Sequence, residues 1–348
     1  MISTAISTEL EQYFQTFRKN IIGIDQDFVS PFGKQKIIYT DWTASGRLYR
    51  PIEEKLMNEF GPFVANTHTE TTVSGTAMTM AYHKARHIIK HHVNAGQDDV
   101  LITYGTGMTG VVNKFQRILG LRVPETLKDF TNVPAESKPI VFISHMEHHS
   151  NQTSWIETIA DVVVIPACEQ GLFCIDNLKI LLEKHKDRTF KIASITSCSN
   201  VTGIKTPYHQ VAKLMHQNNG LCFVDFACSG PYVQIDMHPE DPECYLDAIF
   251  FSPHKFLGGP GTSGVLIFNK KLYKNIVPDN PGGGTVSWTN PWGVHKYIDN
   301  IEDREDGGTP GFLQVIKTAL AIQLKEEMGI ENILEREHEI VDYIFSEL

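Results

Sequence analysis

Short apolar runs alternate along the chain with stretches in which apolar residues recur every three or four positions. The apolar runs predict β-strands at 36–41, 99–104, 139–145, 160–167, 191–199, 220–227, 248–252 and 264–268. Several are apolar almost throughout, which is typical of strands buried on both faces of a sheet. Helical patterns between them cover 109–119, 176–186 and 207–218. This alternation predicts an α/β fold with a mostly parallel sheet flanked by helices.

Two further helices are predicted at the end of the chain, over about 311–328 and 331–347, because each stretch has one apolar face. The polar, proline-containing stretch 122–138 is predicted to be an exposed loop.

The composition favours a globular protein. The chain has 348 residues, 41% of them hydrophobic, and a net charge of -10, which disfavours nucleic acid or an anionic membrane as the main partner. Its six cysteines show no CxxC pair, so reduced thiols in a cytoplasmic protein are expected. No signal peptide is indicated, and no apolar run approaches the roughly 18 residues of a membrane helix.

The stretch YGTGMTG, 104–110, fits the G-x-G-x-x-G pattern between a predicted strand and a predicted helix. Glycines there let backbone N–H groups approach a phosphate at the positive end of a helix, although a glycine-rich turn without a ligand has the same pattern. An NAD-binding site also requires an acidic residue at the end of the next strand, about 20 residues further on. Asp129 has the spacing but lies in the predicted loop, so a general phosphate site is favoured over a dinucleotide site.

A histidine cluster, SHMEHHSNQTSW, follows the predicted strand 139–145. Glu147, His148 and His149 are consecutive and cannot all face one ion from a regular strand or helix, so no metal site is predicted. A strand-end histidine can be purely structural. Its expected position at the carboxyl edge of a parallel sheet, where ligands bind, also allows a functional role.

Asp225 and Lys255 also follow predicted strands. A carboxylate directly after an apolar strand is costly unless it is paired, so Asp225 is either a structural cap or the partner of a cation. Lys255 lies in a glycine-rich loop, and a lysine in a partly desolvated site can form a Schiff base with an aldehyde. A phosphate turn, an aromatic ring, an acid and a lysine in this order are the set that pyridoxal phosphate requires.

With these residues the chain resembles class V aminotransferases, the fold-type-I pyridoxal-phosphate group that includes cysteine desulfurases, selenocysteine lyases and isopenicillin N epimerase-like proteins. The resemblance covers roughly residues 36–330 and rests on motifs in family order: DWTASG, GTGMTGVVN, MEHHSNQTSW, SNVTG, VDFACSGPYVQID, SPHKFLGGPGTSG, GGGTV and EDREDGGTPG. It implies the fold-type-I transferase fold with a seven-stranded sheet, and a homodimer with shared active sites.

The matching positions imply roles. Lys255 resembles the Schiff-base lysine, Asp225 the partner of the ring nitrogen and His148 the ring that stacks on the cofactor. The resemblance assigns further cofactor contacts to Asn200 near the phenolic oxygen, to Thr106, Gly107, Ser252 and His254 at the phosphate, and to Thr285 from the neighbouring subunit.

The chain departs from the family at two of these positions. Cys228 stands where many members have a glutamine that faces the phenolic oxygen, and a thiol is a much weaker donor. Gly107 stands where desulfurase-like members usually have a second threonine, so that only a backbone N–H is left.

The resemblance also implies a division into domains. Residues 1–40 would contribute to a small domain, 41–310 would form the large cofactor-binding domain, and 311–348 would begin the C-terminal small domain, with the rest absent. That domain bears the family's arginine for the substrate carboxylate and, in desulfurases, the nucleophilic cysteine. Arg47 and Arg304 are the arginines near motifs and are the candidates for the carboxylate.

The sequence therefore predicts a pyridoxal-phosphate enzyme that acts on a small-molecule substrate, an amino acid or a related amine, through a Schiff base of Lys255. Transamination, racemisation and β-elimination stay open. The alternatives are a cysteine desulfurase or selenocysteine lyase, an NAD-dependent oxidoreductase that uses GTGMTG, and a non-catalytic homologue. The presence of Lys255, Asp225 and His148 argues against the last.

Overall fold

The structure is a computed structural model that describes residues 9–67, 71–134 and 137–348. Its strands are β1 (Asp27–Ser30), β2 (Gly33–Lys36), β3 (Asp99–Tyr104), β4 (Ile140–Ser144), β5 (Asp161–Ile165), β6 (Lys191–Thr196), β7 (Gly220–Asp225), β8 (Ala248–Phe251), β9 (Gly264–Asn269), β10 (Val286–Thr289) and β11 (His295–Tyr297). Its α-helices are α1 (Glu9–Arg18), α2 (Arg50–Lys55), α3 (Val73–His92), α4 (Met108–Ile118), α5 (His149–Ile156), α6 (Ile175–Lys184), α7 (Tyr208–Gln217), α8 (Ile301–Arg304), α9 (Phe312–Met328) and α10 (Ile330–Glu347).

A central sheet of seven strands organises the fold, in the order β3-β9-β8-β7-β6-β4-β5. Strands β8, β7, β6, β4 and β5 are parallel, whereas β9 runs antiparallel to both of its neighbours. This confirms the predicted α/β class and the mostly parallel seven-stranded sheet. The carboxyl ends of the parallel strands therefore meet at one edge of the sheet.

Helices cover both faces of the sheet, and β4 illustrates why its run is apolar throughout. Ile140 and Phe142 pack into one hydrophobic core, and Val141 and Ile143 pack into the other. Successive side chains of a strand point to opposite faces, so both sets must be apolar when both faces are covered. The first core is closed mainly by α3, α6, α7 and α9, and the second by α4 and α5.

Seven of the eight predicted strands are present, with bounds that differ by at most three residues. The strand predicted at 36–41 is wrong, because β2 ends at Lys36 and residues 37–41 pair with no strand. Ile38 in that segment is 83% exposed, so the apolar run there builds no core. Helix α3 and the two hairpins, β1–β2 and β10–β11, were not predicted.

Both predicted terminal helices are confirmed as α9 and α10. Helix α9 packs into the same core as the sheet, through Val315, Ile316 and Ile322. The division into domains at residues 40 and 310 stays a prediction. Of the predicted loop 122–138, residues 135 and 136 lie outside the described residues, and the rest includes an exposed helical turn at Glu125–Phe130.

No helix in the described part of the chain is both long and apolar enough to cross a membrane.

Candidate active site

Loops at the carboxyl ends of β4, β6, β7 and β8, together with the start of α4, surround a cavity of about 510 Å³. Its lining includes seven of the residues singled out from the sequence: His148, Asn200, Asp225, Cys228, Ser252, His254 and Lys255. These residues are far apart in the chain. The parallel strands bring them together, because each strand ends at the same edge.

Asp225, the last residue of β7, brings a carboxylate into this cavity while being only 2% exposed. One carboxylate oxygen accepts a hydrogen bond from the Ala227 amide at 2.8 Å. Burial raises the pKa of Asp225 to about 6, although the Ala227 hydrogen bond and the positive charge of Lys255 oppose that rise. A buried carboxylate with so few partners is suited to pair with a cationic group inside the cavity.

Lys255 ends a short helical turn, Pro253–Lys255, that follows β8. The turn is held against the DWTASG segment, since the Gly46 amide donates to the His254 carbonyl at 2.9 Å. A Cβ at Gly46 would lie 1.9 Å from the Phe256 carbonyl oxygen, so only glycine allows this approach. The contact explains why a glycine is needed at Gly46, 209 residues before Lys255 in the chain.

The turn before α4 has the features of an anion site. The Met108 amide, the first of the helix, donates to the Ser252 hydroxyl at 2.8 Å, and His254 Nδ1 lies 2.8 Å from the Thr106 carbonyl. A Cβ at Gly107 would lie 2.8 Å from the His254 ring and 3.1 Å from the Ser252 hydroxyl. In this structure a threonine at this position would therefore crowd both side chains unless they shifted.

Thr106 itself lines a neighbouring cavity of about 730 Å³, and His254 lines both cavities. The residues predicted to contact the phosphate are therefore divided between two neighbouring cavities. Ser252 and His254 face the Lys255 cavity directly, whereas Thr106 contributes its carbonyl to the position of His254.

The ring of His148 is presented by a turn that Glu147 holds in place. The Glu147 carboxylate accepts hydrogen bonds from the Ser144 hydroxyl at 2.5 Å, the Asn151 amide at 2.7 Å and the Thr196 amide at 2.9 Å. Burial raises the pKa of Glu147 to about 7, and these three donors limit the rise. Sequence reasoning considered Glu147 only as a metal ligand and missed this role.

His148 is exposed, lines the cavity and caps the N-terminus of α5, where its Nδ1 accepts a hydrogen bond from the Ser150 amide at 3.2 Å. Burial, Lys255 and His149 each lower the pKa of His148, so its ring is neutral near pH 7. A neutral flat ring exposed in the cavity lining is suited to stacking on an aromatic ligand.

Besides Thr106 and Gly107, three predicted residues do not line the Lys255 cavity: Arg47, Thr285 and Arg304. The Arg47 guanidinium donates to the Ile22 carbonyl and lies over the Tyr39 ring at 4.9 Å, and Arg304 lies over the Tyr273 ring at 5.0 Å. The side chain of Thr285 is buried, with its hydroxyl donating to the Gly282 carbonyl of the same chain at 2.7 Å. The roles assigned to these residues stay predictions.

Other polar residues of the cavity were not assigned from the sequence: Asp41, Thr43, Thr109, Ser150 and Thr196. The hydroxyls of Thr109 and Ser150 are 2.6 Å apart, joining α4 to α5 beside the cavity. Asp41 and Thr109 lie within the motifs DWTASG and GTGMTG. These motifs therefore located the cavity in the sequence, but they did not show that these two side chains line it.

The fold and the cavity define an α/β protein whose binding site lies at the carboxyl edge of a mostly parallel sheet. The sequence model of the family described as Aminotransferase class-V matches residues 38–348, and the chain belongs to this family of pyridoxal-phosphate-dependent enzymes. The membership counts against the alternative of an NAD-dependent oxidoreductase, and Asp129 is exposed in the turn at Glu125–Phe130.

Curated relatives support the family assignment. A probable cysteine desulfurase of Halalkalibacterium halodurans is 27% identical over 317 residues, which is 90% of this chain and 72% of the relative. A probable cysteine desulfurase of Staphylococcus epidermidis is 28% identical over 322 residues, covering 90% of this chain and 71% of the relative.

Solved structures share the fold. The apo structure of a cysteine desulfurase from Thermococcus onnurineus matches with a TM-score of 0.75 and 19% identity, over 95% of this chain and 75% of the other. A NifS-like protein from Rickettsia africae matches with a TM-score of 0.66 and 18% identity, over 90% of this chain and 76% of the other.

Proposed function

We propose that this protein binds pyridoxal phosphate in the Lys255 cavity and acts at the α-carbon of an amino acid or a related amine. The observation that carries the proposal is the convergence of Lys255, Asp225 and His148 on one cavity at the carboxyl edge of the sheet. Family membership supports it, since class V aminotransferases use this cofactor.

The residues present fit the cofactor at both ends. The first N–H groups of α4 carry the positive end of the helix dipole, and the space kept open by Gly107 lies beside Ser252 and His254. These groups would hold the phosphate. At the other end Asp225 would pair with the ring nitrogen, His148 would stack on the ring, and Asn200 would donate to the phenolic oxygen.

Pyridoxal phosphate supplies an aldehyde that can join Lys255 and a ring that accepts electrons. Asp225, with its pKa near 6, is ionised at pH 7 and keeps a proton on a basic nitrogen beside it. The Lys255 amine, when free, can accept and return the proton at the substrate α-carbon. The neutral ring of His148 adds no competing charge to the cavity.

A cysteine desulfurase is the second candidate, because the curated relatives carry that name. Such an enzyme needs a nucleophilic thiol near the substrate, and among the described cysteines Cys228 lines the cavity. Incubation with L-cysteine separates the two candidates: a desulfurase releases alanine and a reducible sulfur, whereas a general aminotransferase releases an oxo acid.

The proposal includes a homodimer with shared sites and a cytoplasmic location. The cysteines are all free, which is in keeping with a reducing compartment. Among the described residues that line the Lys255 cavity there is no arginine, so a substrate carboxylate would require a cation from outside this lining.

Borohydride reduction tests the proposal. The reagent should fix pyridoxal phosphate covalently to the wild-type chain, with the added mass on Lys255 in the peptide map. Lys255→Ala should lose the adduct and the turnover, whereas Lys271→Ala, at an exposed lysine outside the cavity lining, should keep both. An adduct on another lysine, or full turnover in Lys255→Ala, would overturn the assignment.

A further inference from the structure

Lys255 borders two cavities of opposite character. One is the polar Lys255 cavity described above, and the other is a smaller pocket of about 170 Å³ that Lys255 also lines. The remaining residues of the smaller pocket are mostly apolar: Trp42, Pro231, Tyr232, Leu257, Met328 and Ile333. Among the described residues of this lining, Lys255 alone carries a charge. One lysine is therefore in contact with both a polar and an apolar space.

One wall of this apolar pocket is the turn that carries Pro231 and Tyr232, and Lys325 of α9 holds that turn in place. The Lys325 Nζ donates hydrogen bonds to the Gly230 and Val233 carbonyls at 2.7 and 2.6 Å. Lys325 is only 1% exposed, so water does not readily compete for these carbonyls. The turn is therefore fixed to the helix that also supplies Met328 to the pocket.

The ring of Trp42 is also held in position. The Tyr39 ring meets it edge to face, with 5.6 Å between the ring centroids and 76° between the ring planes. The Tyr39 hydroxyl donates to the Ser45 carbonyl at 2.7 Å, which ties Tyr39 to the DWTASG segment. An aromatic wall that is fixed before a ligand arrives loses little conformational freedom on binding, so it is suited to contact with an apolar group.

The apolar pocket has room for an aromatic ring, since an apolar cavity of roughly 150 Å³ accepts benzene. It continues into an apolar cavity of about 280 Å³ lined by residues of α1 and α10, with which it shares five lining residues. A side chain longer than a phenyl group therefore has space to extend. Small-molecule sites are mostly apolar with a few placed polar groups, and the Lys255 cavity supplies those polar groups here.

We propose that the apolar pocket receives the side chain of the substrate, so that the protein selects amino acids or amines with an aromatic or large aliphatic side chain. The inference rests on the proposed function, which brings the substrate amine to Lys255. With the amine there, the reacting carbon can stay in the polar cavity while the side chain leaves water for the apolar one. A side chain as small as that of alanine or cysteine would leave most of the pocket unfilled.

Titration of the full chain loaded with pyridoxal phosphate tests the proposal. L-phenylalanine is compared with L-alanine, and 2-phenylethylamine with ethylamine, through the change that each causes in the visible absorbance band. The compound with the ring is expected to bind at least about tenfold more tightly, because its phenyl group is removed from water.

Variants of the lining locate this preference. Trp42→Ala and Leu257→Ser should each reduce the ratio of the two dissociation constants to below about threefold, because they remove apolar contacts with the ring. Trp292→Ala, which removes a tryptophan that is 85% exposed between β10 and β11, is the matched control and should preserve the ratio. The ratio compares two ligands in one variant, so a general loss of cofactor or stability does not change it. The inference is overturned if the paired ligands bind wild type within threefold of each other, or if both lining variants keep the preference.

A second measurement does not use the cofactor. Indole, added to the cofactor-free full chain, should bind with a Kd on the order of 1 mM, seen as broadening of its proton NMR signals. Trp42→Ala and Leu257→Ser should weaken this binding at least about fivefold, and Trp292→Ala should not. If pyridoxal phosphate does not attach to Lys255, the proposed function fails and the indole measurement decides on the pocket by itself. Indole that does not bind, or that binds both lining variants as it binds wild type, then overturns the inference.

Discussion

The Ser252 hydroxyl accepts a hydrogen bond from the Met108 amide at 2.8 Å, which ties the loop carrying Lys255 to the first residue of α4. Ser252 is only 4% exposed, so water does not readily replace this contact. The lysine and the helix N-terminus are therefore held in one geometry, as a ligand that touches both would require.

Ser252→Ala should weaken pyridoxal phosphate binding roughly fivefold, because a hydrogen bond of this kind contributes about 1 kcal/mol and the Met108 amide loses its acceptor. Equilibrium dialysis of the cofactor measures the change. Ser287→Ala, on the exposed hairpin β10–β11, is the matched control and should bind as the wild type does. An unchanged Kd for Ser252→Ala would mean that the hydroxyl does not serve the phosphate.

Asp225→Asn should stabilise the chain against urea at pH 8 while impairing turnover. The pKa of about 6 in the folded chain lies above the ordinary aspartate pKa of 3.8, so the folded chain holds this proton more tightly than the unfolded chain. Raising the pH from about 4 to 6 therefore costs stability, and two pKa units correspond to about 2–3 kcal/mol. Asparagine removes that cost above pH 6, and its advantage should shrink towards zero as the pH falls to about 4.

Urea unfolding without added cofactor at pH 8 and pH 5 checks this sign. Turnover of a native amine substrate by Asp225→Asn should fall on the order of 10- to 100-fold, since the carboxylate no longer holds a proton on the ring nitrogen. The quantity to compare is the gain in unfolding free energy of Asp225→Asn over wild type. If that gain is smaller at pH 8 than at pH 5, the electrostatic account of Asp225 is wrong. Unchanged turnover contradicts its role.

Asn200→Ala should shift the pH titration of the visible absorbance band of the cofactor-loaded protein by more than Cys228→Ala does. An amide donates a strong hydrogen bond, whereas a thiol donates weakly. Both side chains line the cavity, so the comparison is between two groups in one environment. Equal titration curves for wild type and Asn200→Ala would show that water or another group serves the phenolic oxygen.

Sedimentation of the purified protein at micromolar concentration should show a dimer, because Thr285 is predicted to reach a neighbour's phosphate. In one chain its hydroxyl is bonded to Gly282, so completing a partner's site would require this turn to rearrange. Dilution should therefore release cofactor together with the subunit. A monomer that binds cofactor stoichiometrically refutes the shared site.

The central strands were predicted well because their physical cause is local. Ile140 to Ile143 must all be apolar when helices cover both faces of β4, and an unbroken apolar run records that requirement directly. The same rule failed at 36–41, where Ile38 is apolar but exposed. A short apolar run shows only that its residues are suited to burial. Whether another element packs against them depends on the tertiary structure.

The sequence by itself determined the fold class, the order of the strand-end residues and the chemistry available to them, since residue types and strand ends are written along the chain. Only the tertiary structure decided that Glu147 turns inward to fix the His148 turn and that Thr106 faces a neighbouring cavity. The reason is that side-chain partners come from segments tens of residues apart, such as Glu147 and Thr196. The distance between such partners depends on how the parallel strands align at the edge of the sheet. It cannot be predicted from their separation along the chain.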